Sequence, residues 1–198
     1  MDVRSQILEY AQKLFFQLGV KAISVDDICG GICISKKTIY KYFESKDRIV
    51  AELIDNHIAL NRKVCEGFKT STSDAIEELV AIYRYNLENH KLVNPIFISD
   101  IRKLYPMEWD RMQSFLNSSI HKVTTDNIKR GQEEGLFRYD LNVDYVAFSY
   151  THGIINMLEY FASQEKCSIG ELNREYIINH IRGIGTEQAL QKLNTIPF

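Results

Sequence analysis

The sequence predicts an all-α protein of about nine helices. Three prolines and ten glycines occur in 198 residues, and a chain so poor in turn formers favours long helices over a turn-rich β fold. Apolar residues recur at helical spacing, and no alternation typical of strands persists outside short loops. With 45% hydrophobic and 25% charged residues, the composition excludes a disordered chain.

The N-terminal region begins with two predicted helices. Residues 4–18 place their apolar side chains in one stripe, as an amphipathic helix does. Gly19 follows at the position that a helix C-terminal cap prefers. Ser24, with Asp27 three residues later, forms a capping-box pattern that opens a short second helix.

Two further helices follow before the clearest polar break. A third short helix is predicted from Lys36 to Tyr42, after a tight turn. Ser45 caps a fourth helix that runs to about Phe68. The polar run 70–74 then marks a boundary between two regions, although these could share a core.

The remainder is predicted to form a helical bundle. Proline at helix starts, polar caps and glycine near helix ends indicate the bounds. The predicted helices are 74–90, a shorter one at 95–104, 106–133 ending at Gly131 or Gly135, 143–163, one opened by Ser168 and ended by Gly183 or Gly185, and a short tail helix to about Leu193.

Two segments of the sequence predict the cellular setting: the most apolar window and the first residues. The most apolar window, 145–162, contains Thr, His, Asn and Glu, so it predicts a buried helix and not a membrane span. The first residues lack a basic segment followed by an apolar one, so no secretory signal is expected. We therefore expect a cytoplasmic protein with free thiols.

Basic charge is concentrated near the N-terminus. The whole chain has a net charge of −2, yet residues 35–48 hold five basic and two acidic side chains, a net +3. Residues 140–198 hold four basic and seven acidic side chains, a net −3. This asymmetry is typical of a module that docks on phosphates, although a solvated helix face with chance clustering has the same pattern.

The second and third helices, with the first, form a candidate helix-turn-helix. On the third helix Ile39 and Phe43 can pack inward, while the other side carries lysines and hydroxyls suited to phosphate oxygens and base edges. Lys46 lies beside the free N–H groups that open helix four. Tyr42 could instead be a packing residue. The candidate DNA contacts are Ser35, Lys36, Lys37, Thr38, Tyr40, Lys41, Tyr42 and Lys46.

These residues carry a resemblance to a known family. The stretch from Ser24 to Asp47, with SVDDI followed by ISKKTIYKYFESKD, resembles the N-terminal signature of the TetR family of bacterial transcriptional repressors. The resemblance implies a homodimer with one helix-turn-helix per subunit and an inducer pocket in the C-terminal bundle. It also implies dimerisation mainly through the last two long helices.

Position within the signature assigns roles by resemblance. Tyr40 and Lys46 are expected phosphate contacts, and Lys41 and Tyr42 are further candidates. Lys36, Lys37 and Thr38 occupy positions that are expected to face the DNA groove.

One residue departs from the family pattern. The family usually has Gly in the turn before the third helix, where this chain has Cys33. A residue other than Gly is strained at positive φ, so either the turn is remodelled or Cys33 is tolerated there. Cys29 and Cys33 have no further ligand at zinc spacing nearby, and we interpret both as buried small hydrophobes. We expect no metal and no cofactor.

The bundle also contains candidates for a ligand pocket. It is rich in aromatic side chains and has two amides among apolar helical neighbours. Such a set fits plain core packing as well as a pocket. The candidate ligand-binding residues are Tyr83, Asn86, His90, Phe97, Trp109, Met112, Phe115, Tyr150 and Asn156.

The sequence thus predicts a TetR-like regulator: a homodimeric repressor of a pseudo-palindromic operator, released by a small-molecule inducer. Its DNA-binding domain is predicted at 1–48 and its ligand-binding and dimerisation domain at 49–198, with helix 45–68 connecting them. The expected partners are double-stranded DNA, the inducer and a second copy, and no membrane. No catalytic signature is present. Two alternatives stay open: a helical ligand- or partner-binding protein without DNA binding, and a helical enzyme with an unrecognised site.

Overall fold

A computed structural model describes residues 2–90, 93–163 and 168–197, except for the side chains of residues 89 and 90. Within these ranges the chain is helical, as predicted, and its β structure is limited to one isolated bridge between Phe137 and Gly185. In this part of the chain no helix is both long and apolar enough to cross a membrane.

The first four helices begin at polar caps, three of which, Ser24, Ser35 and Ser45, the sequence predicts. Asp2, Ser24, Ser35 and Ser45 each accept a hydrogen bond from a backbone N–H in the first turn that follows, which satisfies a donor that the helix leaves unpaired. At Ser24 the reciprocal bond from Asp27 completes a capping box. The helices are α1 (Val3–Leu18), α2 (Val25–Ile32), α3 (Lys36–Tyr42) and α4 (Lys46–Ser71).

The polar run after α4 is shorter than predicted. The helix continues past Phe68 to Ser71, because the hydroxyls of Thr70 and Thr72 donate to helix carbonyls and can therefore lie at its end. The break begins at Thr72, and Asp74 then caps the next helix through the N–H groups of the following turn.

Seven further helices and one π-helical segment form the remainder. They are α5 (Ala75–His90), α6 (Pro95–Leu104), α7 (Pro106–Phe115), the π-turn (Leu116–Ile120), α8 (His121–Glu133), α9 (Val143–Ser163), α10 (Ile169–Ile184) and α11 (Glu187–Leu193).

The helix predicted over 106–133 is interrupted by the π-turn. Its sequence LNSSI contains Asn and Ser, whose side chains compete with the backbone for hydrogen bonds. Ser118 Oγ donates to the Ser114 carbonyl at 2.7 Å. The helix therefore continues from α7 through the wider π-turn into α8, and it is not the uniform α-helix that the spacing predicts.

The buried apolar residues form two clusters. The first joins α1–α4 with α6, α7 and Phe161, and the second joins α5 with α8–α11. The N-terminal module therefore shares its core with part of the C-terminal region. Two hydrogen bonds strengthen this junction: Lys21 N donates to Asp100 Oδ2 at 2.8 Å, and Tyr105 Oη donates to Asp47 Oδ1 at 3.1 Å.

Candidate functional site

Helix α3 has one buried side and one exposed side. Ile39 is fully buried and Phe43 is 3% exposed, and both belong to the first core cluster together with residues of α1 and α2. This packing fixes the rotation of α3, so its remaining side chains are presented to solvent beside α2.

The turn between α2 and α3 is built on Cys33 in a left-handed conformation. Its φ is 55° and its ψ is 42°, and its N–H donates to the Cys29 carbonyl as the helix cap. The structure thus tolerates Cys33 where the family pattern has Gly. The interpretation of Cys33 as buried is wrong, because the turn projects it into solvent; Cys29 is buried as expected.

The exposed side of α3 carries cations and phenols. Lys37 and Lys41 are exposed, Tyr40 is 51% exposed and Tyr42 is 37% exposed. The Lys41 ammonium lies 5.9 Å from the centre of the Tyr42 ring. We call these four exposed side chains together the α3 face.

Lys36 lies beside the α3 face but is already paired. Its Nζ is 2.8 Å from Asp26 Oδ2 on α2, and this hydrogen bond raises the pKa of the Lys36 ammonium. In the free protein Lys36 therefore contributes less positive field than Lys37, which has no ion pair among the described residues.

Ser35 and Thr38 hold the start of α3. Ser35 Oγ accepts from the Thr38 N–H at 3.1 Å and lies 2.9 Å from Thr38 Oγ1. Both hydroxyls lie at the helix start, where side chains reach base edges in helix-turn-helix proteins.

Lys46 has an internal role that the sequence did not indicate. Its Nζ donates to the carbonyls of Val20 at 3.0 Å and Ile23 at 2.8 Å. The ammonium therefore joins the loop before α2 to the start of α4. Since an ammonium has three donors, one of them stays available to a phosphate.

A cavity of about 440 Å³ lies between α1 and the C-terminal helices. Six of the candidate ligand-binding residues line it: Tyr83, Asn86, Phe97, Met112, Phe115 and Tyr150.

Three candidates do not belong to this described lining. Trp109 is packed in the first core cluster, and Asn156 lies exposed on α9. Neither residue lines the cavity, so a ligand contact by either of them stays a prediction. The side chain of His90 lies outside the described residues.

One wall of the cavity comes from the N-terminal module. Ser5, Leu8, Gln12 and Phe16 of α1 line it beside residues of α4–α10. No sequence pattern indicates this wall, since the spacing that places Leu8 on the buried face of α1 does not show which helix will lie opposite.

Helix α9 presents an exposed aromatic stripe. Tyr145 is 75% exposed, Phe148 is 56% exposed and Tyr160 is 54% exposed. The ring of His152 stacks on Phe148 with 3.9 Å between the ring centres. These four side chains, spaced at helical intervals, form the α9 stripe.

Comparison with known proteins identifies the N-terminal module. The family model of bacterial regulatory proteins, tetR family, matches residues 7–53, which extend from α1 into α4. The HTH-type transcriptional repressor KstR2 of Mycobacterium tuberculosis (strain ATCC 25618 / H37Rv) is 28% identical over 146 residues, 72% of this chain and 73% of the relative. The N-terminal module is that of the TetR family.

Solved structures share the TetR-family fold over nearly the whole chain. The ketosteroid transcriptional regulator KstR2 of M. tuberculosis has a TM-score of 0.66 at 24% identity, covering 94% of this chain and 96% of that one. A TetR-family regulator from Agrobacterium tumefaciens has a TM-score of 0.72 at 16% identity, covering 92% and 97%. These structures show the shared fold. Because the curated relatives that match most of this chain are transcriptional repressors, the chain is a transcriptional regulator and not an enzyme.

Proposed function

We propose that this TetR-family regulator is a repressor that binds a pseudo-palindromic operator as a homodimer and is released by a small-molecule inducer. The observation that carries the proposal is the α3 face, which offers Lys37, Tyr40, Lys41 and Tyr42 to solvent on a helix anchored by buried Ile39. Because operator DNA lies in the bacterial cytoplasm, the proposal also implies a cytoplasmic protein.

The proposed DNA contacts divide into two groups. Tyr40 and Lys46 would contact phosphates, and Lys41 and Tyr42 would add to them. Residues 35–38 at the start of α3 would enter the major groove and contact base edges. The described geometry supports this division, since the phenols are exposed and the start of α3 is open to solvent.

The α9 stripe supports the proposed dimer. Exposed aromatic side chains in a contiguous set are characteristic of protein interfaces, and α9 with α10 would form the contact between two copies. A twofold axis there would place two α3 helices about 34–36 Å apart, in successive major grooves.

The cavity supports the proposed inducer site. Its volume of about 440 Å³ lies in the range of small-molecule pockets. Residues 1–48 would then form the DNA-binding domain and residues 49–198 the ligand-binding and dimerisation domain, with α4 connecting them. An inducer that binds better to a state with another α3 spacing would release the operator.

Fluorescence anisotropy against duplexes from the chain's own upstream region tests the proposal. We expect a specific duplex to bind more tightly than an unrelated one, with affinity falling steeply between about 50 and 200 mM salt because phosphate contacts release counterions. Salt-independent binding, or no preference for any upstream duplex, would overturn DNA recognition by the α3 face. A binding bundle without DNA affinity would then be the better description.

A further inference from the structure

The cavity lining has few charged side chains, and His57 supplies the one imidazole among the described residues. Among the described residues that line it, none is Lys or Arg, and Glu9, which is exposed on α1, is the one carboxylate. The guanidinium of Arg62 lies 6.0 Å from the centre of the Phe115 ring, but Arg62 is exposed and does not line the cavity.

Two polar groups in the lining already have partners. Asn61, 8% exposed, donates through Nδ2 to the His57 carbonyl at 2.8 Å. Thr124 Oγ1 donates to the Ile120 carbonyl at 2.9 Å. Both bonds are internal to one helical segment, so neither group depends on a ligand to satisfy it.

Tyr150 differs from these groups. It lines the cavity and is 8% exposed, and its ring is held against Tyr176 and His180, with ring centres 5.2 and 4.2 Å away. Its hydroxyl has no hydrogen-bond partner among the described residues, and it is not one of the fully enclosed unpaired atoms, so it keeps contact with the cavity space. Burial raises the pKa of the Tyr150 phenol, so it stays a neutral O–H donor that can bond to an acceptor in the cavity.

We infer that the inducer is an uncharged, mainly hydrocarbon molecule with a hydroxyl or carbonyl oxygen that accepts a hydrogen bond from Tyr150. The inference rests on the proposed function, because it takes the cavity as the inducer site. A carboxylate or phosphate would be buried there without a lysine or arginine to pair with it, and the His57 Nε2 already lies 3.2 Å from Asn61 Nδ2. Desolvation of such a charge is strongly unfavourable. An ammonium would find Glu9 only at the exposed wall.

Direct binding to the full-length protein tests the charge preference. The probes are 1-dodecanol, dodecanoate and dodecyltrimethylammonium, which share one chain, and progesterone, a neutral ring ketone. Trp109, the single tryptophan, reports binding by fluorescence, and the unfolding midpoint confirms it. We expect dodecanol or progesterone to bind at least about tenfold more tightly than either charged probe. Binding of dodecanol would indicate a flexible-chain ligand, and binding of progesterone would indicate a rigid-ring ligand.

A conservative variant tests the hydrogen bond. Tyr150→Phe keeps the ring and removes the hydroxyl, so dodecanol should bind about three- to tenfold more weakly, as one lost hydrogen bond implies. The affinity for 1-chlorododecane, a chain of similar size without the hydroxyl, should not change. Tyr139→Phe, at a 73% exposed position, is the matched control and should leave both affinities unchanged.

Two results would overturn the inference. One is a charged probe that binds as tightly as dodecanol, and the other is the absence of binding by every neutral probe. An equal loss of affinity for dodecanol and 1-chlorododecane in Tyr150→Phe would remove the hydrogen bond from the inference. Since binding is measured without DNA, failure of the repressor proposal would show separately, in the anisotropy experiment.

Discussion

Lys36 and Lys37 are adjacent in the sequence and differ in what they can offer a duplex. The Lys36 ammonium must leave Asp26 or share its field with it, because their separation is 2.8 Å. Lys37 is exposed and has no such cost. The two neighbouring ammonium groups therefore differ in their availability to DNA, and a count of charges in the sequence does not reveal this difference.

Lys37→Ala should weaken operator binding by about 1–3 kcal/mol, the usual loss for a cation at a base edge. Lys36→Ala should cost less, since removal of Lys36 also removes its pairing with Asp26. Anisotropy titrations of both variants at two salt concentrations measure the difference. A larger loss for Lys36→Ala would show that the ion pair with Asp26 does not persist on DNA.

Among the described residues, Cys33 is the one with a positive φ that is not a glycine. The left-handed conformation costs an L-residue roughly 1–2 kcal/mol, whereas Gly adopts it freely but loses more chain entropy. Cys33→Gly should therefore raise the free energy of unfolding by about 1 kcal/mol in urea titrations. Cys33→Ala keeps the Cβ and should give no gain; equal stabilisation by both would implicate the thiol and not the backbone.

His180 makes stability depend on pH. Burial lowers its pKa to about 4, below the ordinary value near 6.5, and no described residue hydrogen-bonds to its Nε2. The unfolded chain therefore takes up the proton first as the pH falls, so the contribution is complete above about pH 6.5 and is lost towards about pH 4.

Between about pH 7.5 and pH 5, this group should remove about 2 kcal/mol from the free energy of unfolding. Urea titrations at both pH values and one protein concentration measure the loss. His180→Gln cannot titrate and should lose correspondingly less over the same interval. If the variant and the parent lose stability in parallel, another group is responsible.

At the scale of elements, local signals predict helix starts better than helix interiors. Ser24 and Ser35 cap α2 and α3 where the sequence indicates, because a cap needs only the next three residues. The π-turn was not predicted, since apolar spacing in 106–133 fits a helix with either hydrogen-bond pattern. Lys46 shows the same limit: its acceptors, Val20 and Ile23, lie far back in the chain.

Lys46 connects the loop before α2 to the start of α4 and so should contribute to stability as well as to DNA binding. Lys46→Met keeps most of the aliphatic stem and removes both hydrogen bonds, which should lower the free energy of unfolding by about 2 kcal/mol. It should also weaken all duplexes alike and reduce the salt slope by about 1.

Lys41→Met is the matched control for this element. Lys41 is exposed and contacts the Tyr42 ring, so its replacement should weaken DNA binding with little change in stability. Urea titration and anisotropy on both variants separate the two roles. Unchanged stability in Lys46→Met would leave Lys46 as a phosphate contact alone.

For the whole molecule, the α9 stripe is the surface from which assembly can be predicted. Phe148→Asp places a charge at a position that is 56% exposed in one chain, so the monomer should fold while a dimer closed by α9 should dissociate. Sedimentation velocity should show the loss of dimer, and operator affinity should fall with it.

Met107→Asp provides the control at this scale. Met107 is 74% exposed on α7, outside the α9 stripe, and the variant should stay dimeric. A dimeric Phe148→Asp, or a dissociated Met107→Asp, would place the interface elsewhere.

The contribution of α1 to the cavity restricts how the N-terminal module can be exchanged between proteins. Ser5, Leu8 and Gln12 face the cavity from the helix that also supports α3 through Ile7 and Phe15. A chimera that joins residues 1–45 to the sensor region of another regulator would leave both partners with a mismatched surface. With the cavity as the proposed inducer site, effector specificity and the placement of α3 would both depend on α1, so an exchange of modules would need compensating changes along this helix.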